Sequence, residues 1–453
     1  MTVENINPWT GDNNYRYEYF NAEQIEDKLA ASAKAYPVWS ALSFAERAAY
    51  LNNVAAMLRE HRERIASTMT AEMGKLRREA LGEIEKSAGA CEYYAKQAQS
   101  YMQDNDIATE ASHSFVTYEP IGCVFAVMPW NFPIWQVFRF LAPGLMAGNV
   151  ALLKHATNVP QCADLIAEMI RLAGIPKGVF AVLHINNQDA AQVIADPRVQ
   201  AITLTGSERA GKSVASNAGH HLKKCVMELG GSDPFVVLDD ADLDKAIPIA
   251  IASRFGNGGQ TCIAAKRFIL TPGIAKEFVA RFVAAASKLV VGDPNLDETT
   301  LAPMVRPDAR DELHRQVTAS LAAGATLLIG GEKGSGVCDY PATILDHVVP
   351  GVPAYSEELF GPVASIIYAK DELDAIRIAN DTAFGLAASI WTEDKAKGEA
   401  LARKIQAGAV FVNALVRSDC RLPFGGTKTS GFGRELAEHG IHEFMNIKTV
   451  YVD

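Results

Sequence analysis

Apolar residues recur at three- and four-residue spacing through residues 22–104, as at Leu29, Ala33 and Tyr36 and again at Ile65, Met69 and Met73. That period lines one face of an α-helix, so the stretch predicts a helical outer layer. At residues 112–118 the pattern turns toward alternation, and it does so again at 449–452 after a long stretch that reads as helical. Two such strands at remote positions are edges in need of a partner, in this chain or in a second copy.

Between residues 149 and 239 short β-rich runs trade places with helical ones. Strands are predicted at 150–153, 179–183, 201–204 and 226–229, and helices at 161–172, near Ala190 and from Gly211. A second succession fills residues 267–413, with strands predicted at 268–270, 326–329, 364–368, 388–391 and 410–412. This is the rhythm of parallel sheets with crossover helices. Two α/β domains are expected, changing over near Gly230-Gly231.

A chain of 453 residues with 49% hydrophobic content can bury a large core in two or three domains, which excludes disorder. The net charge of -10 and the lack of any Lys/Arg run argue against a nucleic-acid partner or an anionic membrane surface. Residues 1–20 are polar and carry Asp and Glu, unlike a signal peptide or presequence, so the mature protein is expected to begin at Met1. Apolar stretches such as 124–127 and 247–252 fall far short of the roughly 20 residues of a membrane-spanning helix. The 7 cysteines are odd in number and form no C-x-x-C pair, which argues against a disulfide framework and a zinc site and fits a reducing cytoplasm. His439 and His442 have ligand-like spacing, but no cysteine or carboxylate completes a site, so a solvated helix end and no metal are expected.

Several short segments carry candidate chemistry. In residues 205–211 a buried-type strand runs through Gly206 and Ser207 into a helix at Gly211, which aims free backbone N–H groups at an anion such as a phosphate. The G-x-G-x-x-G fingerprint is absent, and an ordinary strand-to-helix turn fits the segment equally well. Lys154 ends a strand of the same succession, where ligands of parallel sheets bind; taken alone it reads as a solvated surface lysine.

Cys262 follows the glycine-rich run 256–259, a turn that lets a substrate approach the backbone. A thiol becomes a nucleophile when dipoles or cations favour its thiolate, whereas most free cysteines are small buried hydrophobes. Glu228 sits in an apolar strand before Gly230-Gly231, where desolvation raises a carboxyl pKa and makes a better base; a structural ion pair is the other reading. In residues 129–133, prolines fix an extended turn that aims the Asn131 amide at a reacting oxygen, unless Asn131 is only a turn residue.

Together these segments resemble the aldehyde dehydrogenase superfamily, across essentially the whole chain and in the family's order: 129–133, Lys154, 205–211, 228–231, 259–262, 358–362 and 423–435. The resemblance implies an aldehyde-dehydrogenase-like α/β fold of two parallel-sheet domains plus a small β oligomerisation element. It implies a dinucleotide-binding domain at 1–101 and 120–229, a catalytic domain at 230–442, and an oligomerisation element at 102–119 and 443–453 that makes a homodimer or homotetramer. The implied mechanism has Cys262 attack the aldehyde carbon, Asn131 and the Cys262 N–H hold the oxyanion, and Glu228 activate the water that hydrolyses the thioester.

By the same resemblance Glu358 and Phe360 hold the nicotinamide ribose and ring, Trp130, Lys154, Thr157, Gly206, Ser207, Gly211 and Leu229 complete the cofactor contacts, and Glu435 relays protons from Glu228. A helix-start carboxylate fits Glu435 equally well. In NAD-preferring members a glutamate often stands three residues after the ribose-binding lysine. Here Thr157 removes its repulsion of a 2'-phosphate, so dual use of NAD and NADP is expected, with NAD favoured.

Arg139, eight residues after Asn131, matches an arginine that grips the distant carboxylate in succinate-semialdehyde dehydrogenases. Ser418, Arg421 and Phe424 lie where the family places substrate contacts, and Arg417 stands beside them. The second arginine of the best-known members, six residues before the nucleophile, is Gly256 here, and Arg421 is expected to take its role. The chain is similar to a shorter bacterial branch of these enzymes. A cysteine two residues after the nucleophile, which in some relatives forms a reversible disulfide, is Ala264 here. The rival readings are oxidation of another small aliphatic or aromatic aldehyde, acylation of coenzyme A, which needs no base at Glu228, a Cys-His hydrolase, for which no histidine is placed, and a non-catalytic relative of the fold.

Overall fold

The structure, a computed structural model, describes residues 2–453. The predicted helical layer is four helices, Ala22–Ser40, Phe44–Glu60, Arg62–Met73 and Arg77–Tyr101. The first two start at reciprocal caps, in which Asn21 and Gln24, then Ser43 and Glu46, satisfy each other's backbone N–H groups. The third ends at Gly74, whose φ of 75° stops a helix at no steric cost.

Six strands form one sheet in the order Gly431–Phe432, Lys224–Glu228, Val199–Thr205, Cys123–Met128, Val150–His155 and Phe180–Val182. All its pairs are parallel except the first. In register, Thr205 lies beside Glu228, and Val127 beside both Lys154 and Leu204. The carboxyl ends of the strands thus bring Lys154, the Gly206 turn and Glu228 to one edge, the place where open parallel sheets bind ligands.

A second, seven-stranded sheet runs Thr326–Ile329, Thr343–Asp346, Val363–Tyr368, Ala265–Leu270, Asp233–Val237, Ala387–Trp391 and Ala409–Val412, with only the outermost Thr326–Ile329 antiparallel. Asp233–Val237 and Thr343–Asp346 were not expected from the sequence. Both are buried on both faces and so show no alternation.

A small sheet pairs Met445–Val452 with His113–Pro120 over eight residues and adds Asn105–Asp106. The final strand is thus longer than the predicted 449–452, and the helix before it is only Ala437–His442. A hairpin of Thr2–Ile6 and Asn13–Glu18 was not expected either. His439 is exposed, but His442 is no solvated helix end: its Nε2 lies 2.6 Å from the Tyr101 carbonyl and its ring stacks on Tyr118 at 4.0 Å. Among the described residues no cluster of three or more His, Cys, Asp or Glu could hold a metal, and no helix is long and apolar enough to cross a membrane.

Candidate active site

Cys262 lies between helix Leu243–Phe255 and strand Ala265–Leu270, after a tight turn in which Asn257, Gly258 and Gly259 have φ of 55°, 64° and 71°. At Gly259 a Cβ would stand 2.4 Å from the Gly361 carbonyl, so only glycine fits. Buried Lys266 fixes the outgoing chain by donating to the carbonyls of Thr261 at 3.0 Å and Cys262 at 2.8 Å. Cys262 is half-buried and lines a cavity of about 350 Å³. Burial pushes its thiol up to about 11, with Arg139 and Lys266 pulling it down.

Asn131 stands across from this turn and is gripped from three sides. Its Nδ2 donates to the Gln260 carbonyl at 3.0 Å, and its own carbonyl accepts from Lys75 Nζ and from Asn257 Nδ2, each at 2.9 Å. Lys75 is also paired with Glu83, both fully buried. Glu83 Oε1 accepts the backbone N–H groups of Ile134 at 2.8 Å and Trp135 at 2.9 Å, which caps helix Trp135–Ala147. The turn is therefore held by a buried ion pair as well as by its prolines, and the sequence pattern pointed to neither partner.

Glu228 ends its strand with 2% exposure and no hydrogen-bond partner for either carboxylate oxygen. Burial pushes its pKa well above the usual carboxylate range, the Arg139 charge opposes this, and Glu435 adds to it. Glu435, also 2% exposed, is no helix-start carboxylate: it pairs with Arg139 Nε. Arg139 Nη2 donates to Thr205 Oγ1 at 2.9 Å, and the guanidinium lies 4.8 Å from the Phe424 ring centre. Arg139 does line the cavity, as expected, but at 2% exposure its charge is already matched by a carboxylate of the chain itself.

Ser418 and Phe424 line the same cavity. Arg421 does not: its guanidinium makes two contacts to Asp419, at 2.8 and 2.6 Å, out in solvent, so it is not placed to replace the missing arginine at Gly256. Three other cations do line the wall: Lys75, already paired with Glu83, Lys86 from helix Arg77–Tyr101, and Arg417 from the loop. Lys86 had no sequence signal beyond its place in a helical pattern.

Beside the cavity, Glu358 Oε1 accepts the Gly231 N–H at 3.0 Å and lies 3.3 Å from Lys266 Nζ. Trp130 and Phe360 meet edge to face at 5.8 Å between ring centres. A separate groove of about 490 Å³ is lined by Lys154, Ser207 and Arg209. Ser207 caps helix Glu208–His220 by accepting the Ala210 N–H. A Cβ at Gly211 would lie 2.5 Å from Leu229, so the missing side chain lets helix and strand close at the groove. The Gly206 N–H is spent on the Glu228 carbonyl at 2.9 Å. Thr157 is exposed, outside the groove lining, and its carbonyl accepts from the Tyr17 hydroxyl at 3.1 Å.

A half-buried thiol lining a cavity, a buried carboxyl group without a hydrogen-bond partner and a groove at strand ends are together the equipment of a cysteine-dependent dehydrogenase. The aldehyde dehydrogenase family matches residues 1–450, and the chain belongs to it. It is 47% identical over 449 residues to succinate semialdehyde dehydrogenase [NAD(P)+] Sad of Escherichia coli (strain K12), covering 99% of this chain and 97% of that one. It is 48% identical over 453 residues to the probable succinate-semialdehyde dehydrogenase [NADP(+)] of Synechocystis sp. (strain ATCC 27184 / PCC 6803 / Kazusa), covering 100% of both. Among solved structures, succinic semialdehyde dehydrogenase from Streptococcus pyogenes in complex with NADP+ superposes with a TM-score of 0.97 at 36% identity, covering 99% of each chain.

Proposed function

We propose that this enzyme oxidises succinate semialdehyde to succinate with NAD or NADP as acceptor. The observation that carries the reading is the single cavity in which Cys262 shares its walls with Lys86, Arg139 and Arg417, a setting for an aldehyde with a negative tail. The printed names of the relatives support the same substrate.

The residues present fit a dinucleotide. The groove at the strand ends supplies Lys154 for ribose hydroxyls and the Ser207-capped helix start for phosphate, and Gly211 leaves room for Leu229 beneath them. Glu358 and Phe360, with Trp130 against the ring edge, lie toward Cys262 and would hold the nicotinamide end. When bound, this group accepts the hydride that leaves the substrate carbon. Arg209 in the groove suits a 2'-phosphate, and Thr157, outside the lining, sets no carboxylate against it, which turns the expected leaning toward NAD into one toward NADP.

Catalysis by the chain's own residues begins at Cys262, whose thiolate forms a C–S bond to the aldehyde carbon. The Asn131 amide and the Cys262 backbone N–H hold the oxyanion that results. After oxidation the carbon is a thioester. Glu228, buried and without a hydrogen-bond partner, takes a proton from water; the hydroxide adds, the C–S bond breaks, and the thiolate is restored as the acid leaves. Glu435, whose charge bears on Glu228, passes that proton on.

The reading also assigns residues 1–101 and 120–229 to cofactor binding, 230–442 to catalysis, and 102–119 with 443–453 to assembly of a cytoplasmic homodimer or homotetramer. Support for the last comes from strand Met445–Val452, where Ile447 and Tyr451 are 60% and 56% exposed. The experiment is initial-rate kinetics with succinate semialdehyde, glutarate semialdehyde, butyraldehyde and benzaldehyde. A kcat/KM preference for the carboxylated aldehydes is expected, and a preference for the uncharged ones overturns the substrate assignment.

A further inference from the structure

We infer that the hairpin of Thr2–Ile6 and Asn13–Glu18 takes part in choosing the cofactor: Asn5 and Tyr17 are positioning residues that hold the turn of residues 156–159, and with it Thr157, at the adenosine end of the groove. The inference rests on the proposed binding of NAD or NADP with Lys154 at the ribose, and it names the contacts that fix the residue three positions further on.

A lone hairpin is marginal in water and stays docked when it buries apolar side chains, yet neither of these strands fully buries one. Asn5, at 1% exposure, is the one buried residue of the two strands. An asparagine is costly to bury unless both ends of its amide are bonded. Here Oδ1 accepts from Asn14 Nδ2 at 3.1 Å, and Nδ2 donates to the Asn158 carbonyl at 2.5 Å. Asn14 Nδ2 also donates to the Ala71 carbonyl at 2.5 Å, which moors the hairpin to helix Arg62–Met73. On the second strand, the Tyr17 hydroxyl donates to the Thr157 carbonyl at 3.1 Å. Each strand therefore grips one carbonyl of the same turn.

The turn is held from its other sides as well. The Val159 N–H donates to the Ala156 carbonyl at 3.1 Å and closes it. At its start, His155 Nδ1 accepts the Ala156 N–H at 2.9 Å while Nε2 lies 2.9 Å from the Pro133 carbonyl. Past its end, the Glu72 carboxylate accepts the N–H groups of Gln161 at 2.9 Å and Cys162 at 3.0 Å. The Tyr17 ring lies 5.1 Å from the ring of His184, whose Nε2 is 2.7 Å from Asp164 Oδ1. Thr157 is the one exposed residue of this pinned turn, three positions after Lys154 in the groove wall.

NAD and NADP differ only at the adenosine 2'-position, so loosening the turn acts on the ratio of the two affinities rather than on chemistry at Cys262. A hydroxyl that donates to a phosphate oxygen makes a charge-assisted bond, and that bond depends on its placement to within about 0.5 Å. NADP therefore has more to lose than NAD.

The test measures Kd for NADP and for NAD by calorimetry, without aldehyde, in the full-length wild type and in Y17F, N5A, T157A and Y17F/T157A. Y17F removes one hydroxyl and keeps the ring on His184, so it remains informative if N5A fails to fold. Y17F and N5A are each expected to raise Kd for NADP about three- to tenfold with a smaller change for NAD, and Y17F is expected to add little once T157A is in place. Amide hydrogen exchange of the cofactor-free protein should quicken at residues 156–159 in Y17F and N5A. If T157A leaves the two affinities in their wild-type ratio, Thr157 does not bear on the 2'-position, which overturns that part of the cofactor reading together with the inference. A ratio that shifts in T157A but not in Y17F overturns the inference alone, as does an equal loss for both dinucleotides or a loss that Y17F repeats in full on T157A.

Discussion

The carboxylate of Glu358 occupies the space that a side chain at position 230 would need: a Cβ on Gly230 would stand 2.3 Å from Glu358 Oε2. Gly230→Ala should therefore push Glu358 off the Gly231 N–H and out of reach of a ribose. KM for the dinucleotide is expected to rise roughly ten- to a hundredfold, as overpacking of this order predicts. Cofactor titration followed by fluorescence checks it, and an unaltered affinity removes Glu358 from the cofactor site.

Cys262 is expected to rest as a thiol when no cofactor is bound, since burial pushes it up to about 11. The sign follows from the direction of the shift: below that value the thiolate is the minor form and grows with pH. Alkylation of Cys262 by iodoacetamide should accelerate about tenfold per pH unit from pH 7 toward 10. Mass spectrometry of the Cys262 peptide separates it from Cys225 and Cys420, and a rate that is already flat at pH 7 would show a thiolate at rest.

Glu228→Gln should leave the first half of the reaction in place and block the second. A burst of about one reduced cofactor per subunit is expected, followed by a steady rate lower by about 10²- to 10⁴-fold. In the wild type, hydrolysis should speed up with rising pH, because burial raises the Glu228 pKa and only the ionised carboxylate accepts a proton. Loss of the burst along with the steady rate would give Glu228 an earlier role.

Arg209 lines the cofactor groove, and among the described residues it makes no ion pair. Arg209→Ala should raise KM for NADP about tenfold and change KM for NAD little, since only NADP carries the extra phosphate. Equal changes for both dinucleotides would mean that Arg209 meets the shared pyrophosphate or none of the cofactor.

The buried pair of Lys75 and Glu83 should be costly to break and cheaper to replace. Lys75→Met alone is expected to destabilise by about 3–5 kcal/mol, because Glu83 is left buried without its counter-charge. Lys75→Met with Glu83→Met should cost less than the sum of the single changes. Urea unfolding of the three variants checks the sign of that coupling.

Much of the site was legible in the sequence because its residues sit where a pattern breaks. Glu228 and Lys154 stand at or next to the ends of apolar strands, and Cys262 follows a glycine turn. What stayed hidden depends on partners remote in the chain. Lys86 meets Ser418 across 332 residues and Lys75 meets Asn131 across 56, and a lone lysine in a helical pattern looks like any solvated one. Arg139 was found by position, but its pairing with Glu435 was not. The two central strands without alternation were missed for the same reason that they are stable, burial on both faces.

Strand Gly431–Phe432 adds itself to a sheet whose other members all lie before residue 229. The segment that carries it also brings Ser418, Phe424 and Glu435 to the cavity and its surroundings. On a ribosome, Cys262 and Glu228 are therefore made well before the loop that completes their pocket. The enzyme gains its substrate wall at the end of synthesis, and until then its nucleophile stands in a half-built room.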